Sequence, residues 1–301
     1  LKSHKMSESK ILIISIWAAL FFALLGTIWG VVVGSSMIIF DGVYSSTGII
    51  LGGLTLVVLK QIESEEEDQR FPFGKAHFEP LFIIFKSLLL IGMCVFSSIN
   101  ALSELLAGGR DVSANSAILY ALISVIVCLF VTVFIHYKNK KINSDLLNVE
   151  RNQWFGDLLI SVAVLVGFSI AYLLQNSTLS WLIPYADPGL LFVVSSLFIV
   201  VPSMSFFKAF KEMIFYRVEP ELFDSIDNKA AEIAEELEAE YILRVVNIGR
   251  EVNIELNFLS KNRTFEVLEM DVIRNRILKI VKKMNKKNWI NINFTQDKAW
   301  L

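Results

Sequence analysis

Six stretches of the chain are almost unbroken runs of Ile, Leu, Val, Phe and Ala: residues 11–34, 36–60, 79–106, 116–137, 150–174 and 189–210. A helix needs ~20 mostly apolar residues to cross the ~30 Å hydrocarbon core, so each run predicts a membrane-spanning helix. The run at 11–34 is too long for a signal-peptide core and is read as a retained span. After residue 213 the pattern changes. "PELFDSIDNKAAEIAEELEAE" spaces Leu222, Ile226, Ala230, Ile233 and Leu237 as one face of an amphipathic helix. "YILRVVNIGR" and "EVNIELNFLS" are β-rich runs meeting at Gly249-Arg250, "FEVLEMDVIRNRILKIVKKMNKK" returns to helical spacing, and "NWININFTQ" alternates strictly. The fold class is therefore an α-helical membrane protein with six transmembrane helices and a small cytoplasmic α+β domain of order α-β-β-α-β. The expected boundaries are 1–10 for an N-terminal segment, 11–212 for the membrane domain and 213–301 for the tail.

Composition agrees, since 54% hydrophobic residues in a 301-residue chain is too apolar for one soluble domain. The net charge of −2 averages two unlike regions, so the placement of Lys and Arg is more informative. Lys2, Lys5 and Lys10 precede the first span, Lys60, Arg70 and Lys75 follow the second, Lys138, Lys140 and Lys141 follow the fourth, and Lys208 and Lys211 close the sixth. The alternate loops carry only Arg110 in 107–115 and no Lys or Arg in 175–188. This bias places both termini in the cytoplasm, in a bacterial or archaeal cytoplasmic membrane. Cys94 and Cys128 lie within spans without CxxC spacing and read as packing residues. The tail holds no His or Cys for a soft metal. Its ~85 residues make a marginal core that self-association would support, so a homodimer is expected and a nucleic-acid partner is not.

Ionisable residues inside spans carry the candidate chemistry, because a charge at the bilayer centre costs ~2.5–3.5 kcal/mol even on lenient scales. Asp41 and Asp157 are the two aspartates well inside apolar sequence. Helical spacing puts Asp41, Tyr44 and Ser45 on one face of span two, with Gly48 leaving a gap, and Gln153 with Asp157 on one face of span five. At ~1.5 Å per residue from Ser36 and from Asn148, Ser45 and Asp157 each lie ~13 Å deep, nearly level. The two faces can form one oxygen-lined site. Lys86, Asn100, Ser97 and Ser98 in span three, and Glu79 at its start, read as interhelical or interfacial pairs, and the five acids within 63–68 as a solvated turn. No Ser/His pair, HExxH or GxGD-like arrangement occurs in the spans, so no enzyme is predicted.

Four stretches in order, "FDGVYSSTG" (40–48), "FPFGKAHFEPL" (71–81), "WFGD" (154–157) and "YADPGL" (185–190), give the chain its resemblance to the cation diffusion facilitator (cation efflux) family of metal/proton exchangers. The resemblance implies a homodimeric transporter that exports a divalent cation of the Mn, Fe or Zn class in exchange for protons, with the ion as substrate and no resident cofactor. It also implies a four-residue cage, His or Asp in most members, at the positions of Tyr44, Gly48, Gln153 and Asp157. Only Asp157 keeps that ligand type, and Asp41 matches an acidic position one turn outside the cage. A site drawing on Asp41, Asp157, Gln153, Ser45 and Tyr44 would be a hard, oxygen-rich one, favouring Mn²⁺, Fe²⁺ or Mg²⁺ over Zn²⁺. The alternative is a membrane sensor or scaffold that kept the fold and lost the cage.

Overall fold

The computed structural model describes residues 2–62, 69–142, 145–249, 251–261, 264–282 and 287–300. The acidic run at 63–68 and Arg250 lie outside the described residues. Two compact units are present, one from residues 1–54 with 88–203, the other from 55–87 with 204–301.

The first unit is a helical bundle. Its helices are α1 (Lys2–Val33), the start of α2 (Ser36–Ile62), most of α3 (Phe78–Leu106), α4 (Ala114–Ile142), α5 (Asp145–Leu173) and α6 (Ala186–Phe198). Among the described residues six segments are long and apolar enough to cross a membrane: Ile13–Val33, Ser36–Leu54, Phe78–Leu106, Ala114–Lys140, Glu150–Asn176 and Ser180–Met213. The protein is an integral, multi-pass membrane protein. Its outer surface is apolar, with Ile28, Val32, Phe96, Phe130 and Leu173 all exposed, because hydrocarbon covers that face and backbone polarity is satisfied within each helix. Phe22, Met37, Ile38, Tyr120, Trp154 and Phe168 fill the interior.

Helices α1 and α2 turn on Gly34, whose φ of 72° suits a residue without Cβ. They then pack backbone to backbone. A Cβ at Gly30 would lie 2.6 Å from the Ile39 nitrogen, and one at Gly42 would lie 2.3 Å from the Thr27 nitrogen. Small residues on facing turns are what permit such an approach in membranes.

The sixth span differs from the single helix expected over 189–210. A 3₁₀ turn over Ser180–Tyr185 opens it, and the helix breaks at Ile199 before resuming as α7 (Val200–Met213). Pro202 is the cause, since it has no N–H to return to the preceding turn and its ring crowds the carbonyl there.

The second unit contains α7 from Met204 onward and the α-β-β-α-β tail, in the order expected: α8 (Pro220–Glu236), β1 (Glu240–Ile248), β2 (Glu251–Leu259), α9 (Val267–Lys282) and β3 (Lys287–Thr295). Strand β2 is central. It pairs antiparallel with β1, from Ile248↔Glu251 to Glu240↔Leu259, and parallel with β3, from Glu251↔Lys287 to Leu259↔Thr295. The parallel pairing needs a crossover, which α9 supplies. One sheet face buries Val245, Ile254, Leu256, Phe258 and Ile292 beneath Ile226 and Ile233 of α8 and Ile273 and Ile277 of α9. The other is polar, with Arg244 facing Glu255 at 3.5 Å and Asn293 donating to Asn257 at 3.0 Å. On the surface Arg276 bridges to Glu236 and Glu232, and this guanidinium holds the Glu236 carboxyl below its ordinary range.

Candidate cation site in the membrane domain

Asp41 sits on the second turn of α2 and turns into the bundle, where the Tyr120 hydroxyl of α4 donates to its Oδ2 at 2.9 Å. Tyr120 is buried, and Gly26 of α1 makes room for it, since a Cβ at Gly26 would lie 2.7 Å from the phenolic oxygen. Three helices thus meet at one hydrogen bond. Nothing in the spacing of the sequence pointed to Tyr120; its one signal was a hydroxyl-bearing aromatic inside an apolar run.

Asp157 lies on α5, half-buried, within electrostatic reach of Asp41 and of Tyr44. The Ser161 hydroxyl donates to the Asp157 backbone carbonyl at 2.9 Å, not to its carboxylate. Among the described residues no side chain hydrogen-bonds that carboxylate. Two acids on facing helices are therefore treated differently, one tied down by a phenol and one left open.

Tyr44 is half-buried, its ring held between Phe40 at 5.7 Å and Phe198 at 4.8 Å. The hydroxyls that follow divide. Ser46 and Thr47 donate back to the Gly42 and Val43 carbonyls at 2.8 Å, whereas Ser45, half-buried, makes no side-chain hydrogen bond among the described residues. A Cβ at Gly48 would meet nothing within 4 Å, so open space adjoins the α2 face. Gln153 is exposed on α5, one turn from Asp157. Cys94 and Cys128 are buried with free thiols, Cys94 within reach of Tyr44 and Cys128 of both acids, its sulfur 4.0 Å from the Ser161 hydroxyl. Among the described residues no three His, Cys, Asp or Glu side chains gather closely enough to hold a metal ion. A cation held here would draw on hydroxyl, amide or water oxygens as well as carboxylate.

Polar contacts tie helices together at both ends of the bundle. At one end Asp187 accepts from the Ser35 hydroxyl and from the backbone N–H of Ser36 at 2.9 Å and Met37 at 3.3 Å, which caps the first turn of α2. Beside it Arg110 pairs with Glu104 at 2.8 Å and donates to the Ser36 hydroxyl at 2.7 Å. At the other end the Ser15 hydroxyl donates to Glu150 at 2.5 Å and accepts from the Trp154 indole at 2.6 Å, tying α1 to α5. Ser35 and Asp187 stand 152 positions apart, a pairing that one sequence does not disclose.

Comparison with known proteins bears on the whole bundle. Residues 12–214 match the family described as cation efflux transmembrane domain. The chain is 30% identical over 163 residues to the uncharacterized transporter MJ0449 of Methanocaldococcus jannaschii, covering 52% of this chain and 56% of that protein. It thus spans little more than half of that relative's length. It is 25% identical over 216 residues to the manganese efflux system protein MneP of Bacillus subtilis, covering 71% of each. A match running from the first span to the end of the sixth, on six membrane helices with a three-stranded α+β tail, means that this chain belongs to the cation efflux family of transporters.

Proposed function

We propose that the protein exports a divalent metal cation from the cytoplasm in exchange for protons, by alternating access, with Asp157 binding cation and proton in turn. The observation that carries this reading is the state of that carboxylate: well inside the membrane, half-buried, near a second acid, with no hydrogen-bond donor among the described residues. A bare carboxylate in hydrocarbon must be compensated, and a cation or a proton does so equally. Tyr44, Ser45 and Gln153 supply the remaining protein oxygens, and Asp41, held by Tyr120, supplies field and, by a small rotation, a second carboxylate. Hard oxygen donors with room for retained water suit Mn²⁺ or Fe²⁺ better than Zn²⁺, and the manganese efflux relative supports Mn²⁺ first. The Lys and Arg bias supports termini in the cytoplasm, and the small tail supports a homodimer, with 213–301 as the dimerisation domain.

Asp157→Asn in reconstituted vesicles is the test. Metal-dependent proton flux should vanish while the purified variant keeps its unfolding temperature within a few degrees, and unchanged flux would sink the assignment. One observation favours a second reading, a sensor that kept the fold without transport: the absence, among the described residues, of a three-member cluster of metal-binding side chains. Uptake of Mn²⁺, Fe²⁺, Zn²⁺ and Mg²⁺ by the same vesicles separates the two, since a sensor moves none of them.

A further inference from the structure

Helices α4 and α5 leave a recess of about 530 Å³ at the end of the bundle where Lys138 and Lys140 emerge. Its polar side is basic. Arg151, at the start of the fifth apolar run, donates to the Asn152 side-chain amide oxygen at 2.9 and 3.3 Å and stands 3.5 Å from the His136 ring nitrogen Nδ1 of α4. Among the described residues no carboxylate pairs with Arg151. The adjacent acid, Glu150, instead takes the Ser15 hydroxyl of α1. Lys140 lies over the ring of Tyr137, a lining residue, at 5.6 Å, which adds positive charge to the same rim.

One turn deeper the lining changes character. Val133 lies below His136 and Phe155 below Arg151, both exposed, so the recess grades from cationic to apolar over about 6 Å along the helix axes. Within it the Thr132 hydroxyl oxygen is buried and has no hydrogen-bond partner among the described residues. His136 closes the fourth apolar run (116–137) beside Lys138, Lys140 and Lys141, and Arg151 opens the fifth (150–174), where basic side chains reach the headgroups. A charged rim at that level, an apolar wall below it and a groove parallel to the helices match one class of molecule in shape, charge and position.

We propose that this recess is a binding site for an anionic phospholipid, whose phosphate takes hydrogen bonds from Arg151 and His136 and whose acyl chains lie along Val133 and Phe155. Basic pockets between membrane helices hold such headgroups, each Arg near the surface contributing about fivefold in binding. The proposal stands whether or not the protein transports.

Native mass spectrometry of the purified full chain with dioleoyl phosphatidylglycerol or dioleoyl phosphatidylcholine tests it. Wild-type protein should retain phosphatidylglycerol in preference. Arg151→Gln should cut that retention about fivefold, His136→Gln by less, and Arg151→Lys should restore part of it. Lys208→Gln, which removes the same charge from an exposed position on α7, should leave retention unchanged. Equal losses in the Arg151 and Lys208 variants, or no loss in either, would overturn the site. If inorganic phosphate displaces the lipid at equal concentration, the recess is a phosphate site and the lipid assignment fails. Should Arg151→Gln not fold, the His136→Gln series carries the same comparison.

Discussion

The hydrogen bond from Tyr120 holds the Asp41 carboxylate, while that of Asp157 takes no side-chain donor among the described residues. Tyr120→Phe keeps the ring and removes the donor, leaving a carboxylate enclosed by α1, α2 and α4 without its partner. The expected cost is about 1.5–3 kcal/mol, the range for a hydrogen bond to a charged group, read as a lowered unfolding temperature in detergent. In transport the variant should raise the KM for Mn²⁺ more than it lowers kcat, because Asp41 would lose its fixed orientation while Asp157 remains. A purely structural Tyr120 would lower the folded fraction and leave KM alone. Asp41 and Asp157 were legible in the sequence because a charge in an apolar run has few explanations. Tyr120 was not, because tyrosine fits a packed core as well as it fits a donor, and only the fold brings α4 beside α2. Asp187 shows the same limit: its motif was visible in "YADPGL", but its partners Ser35, Ser36 and Met37 are set by the turn between α1 and α2.

At the scale of the helix, α2 carries two glycines with opposite roles six residues apart. A Cβ on Gly42 would meet backbone of α1 at 2.3 Å, and backbone cannot swing aside, whereas a Cβ on Gly48 meets open space. Gly42→Ala should therefore destabilise the bundle by about 1–3 kcal/mol through overpacking. Gly48→Ala should be neutral or stabilising by about 0.5–1 kcal/mol through helix propensity alone. Thermal unfolding of the pair decides it, and equal effects would mean that the α1–α2 contact is looser than the structure has it. The six spans were legible because hydrocarbon thickness fixes their length and lipid fixes their surface. The break at Ile199 was marked by Pro202 but overridden by the apolar run around it. In the tail, alternation located the strands, yet the parallel partnership of β2 with β3 follows from the α9 crossover, which strand periodicity does not encode.

For the molecule as a whole, alternating access requires that the level of Asp41 and Asp157 open to water on one side and then the other. The described contacts tie helices together at both ends: Asp187, Arg110 and Glu104 bind the start of α2 at one, and Ser15, Glu150 and Trp154 join α1 to α5 at the other. The charge bias gives an expected topology, but two conformations separated by a few kcal/mol leave no trace in a hydropathy pattern. The cysteines provide a reporter. Cys94 and Cys128 are both fully buried, Cys94 within reach of Tyr44 and Cys128 of both acids. In vesicles a membrane-impermeant thiol reagent should label neither at rest, and an imposed Mn²⁺ gradient should accelerate labelling of at least one as the site opens. Asp157→Asn, unable to exchange cation for proton, should abolish the acceleration while its slow background labelling stays at the wild-type level. A gradient that drives Mn²⁺ flux without changing either thiol's rate would mean that the pathway opens elsewhere, and the acid pair would then be a structural feature of the bundle.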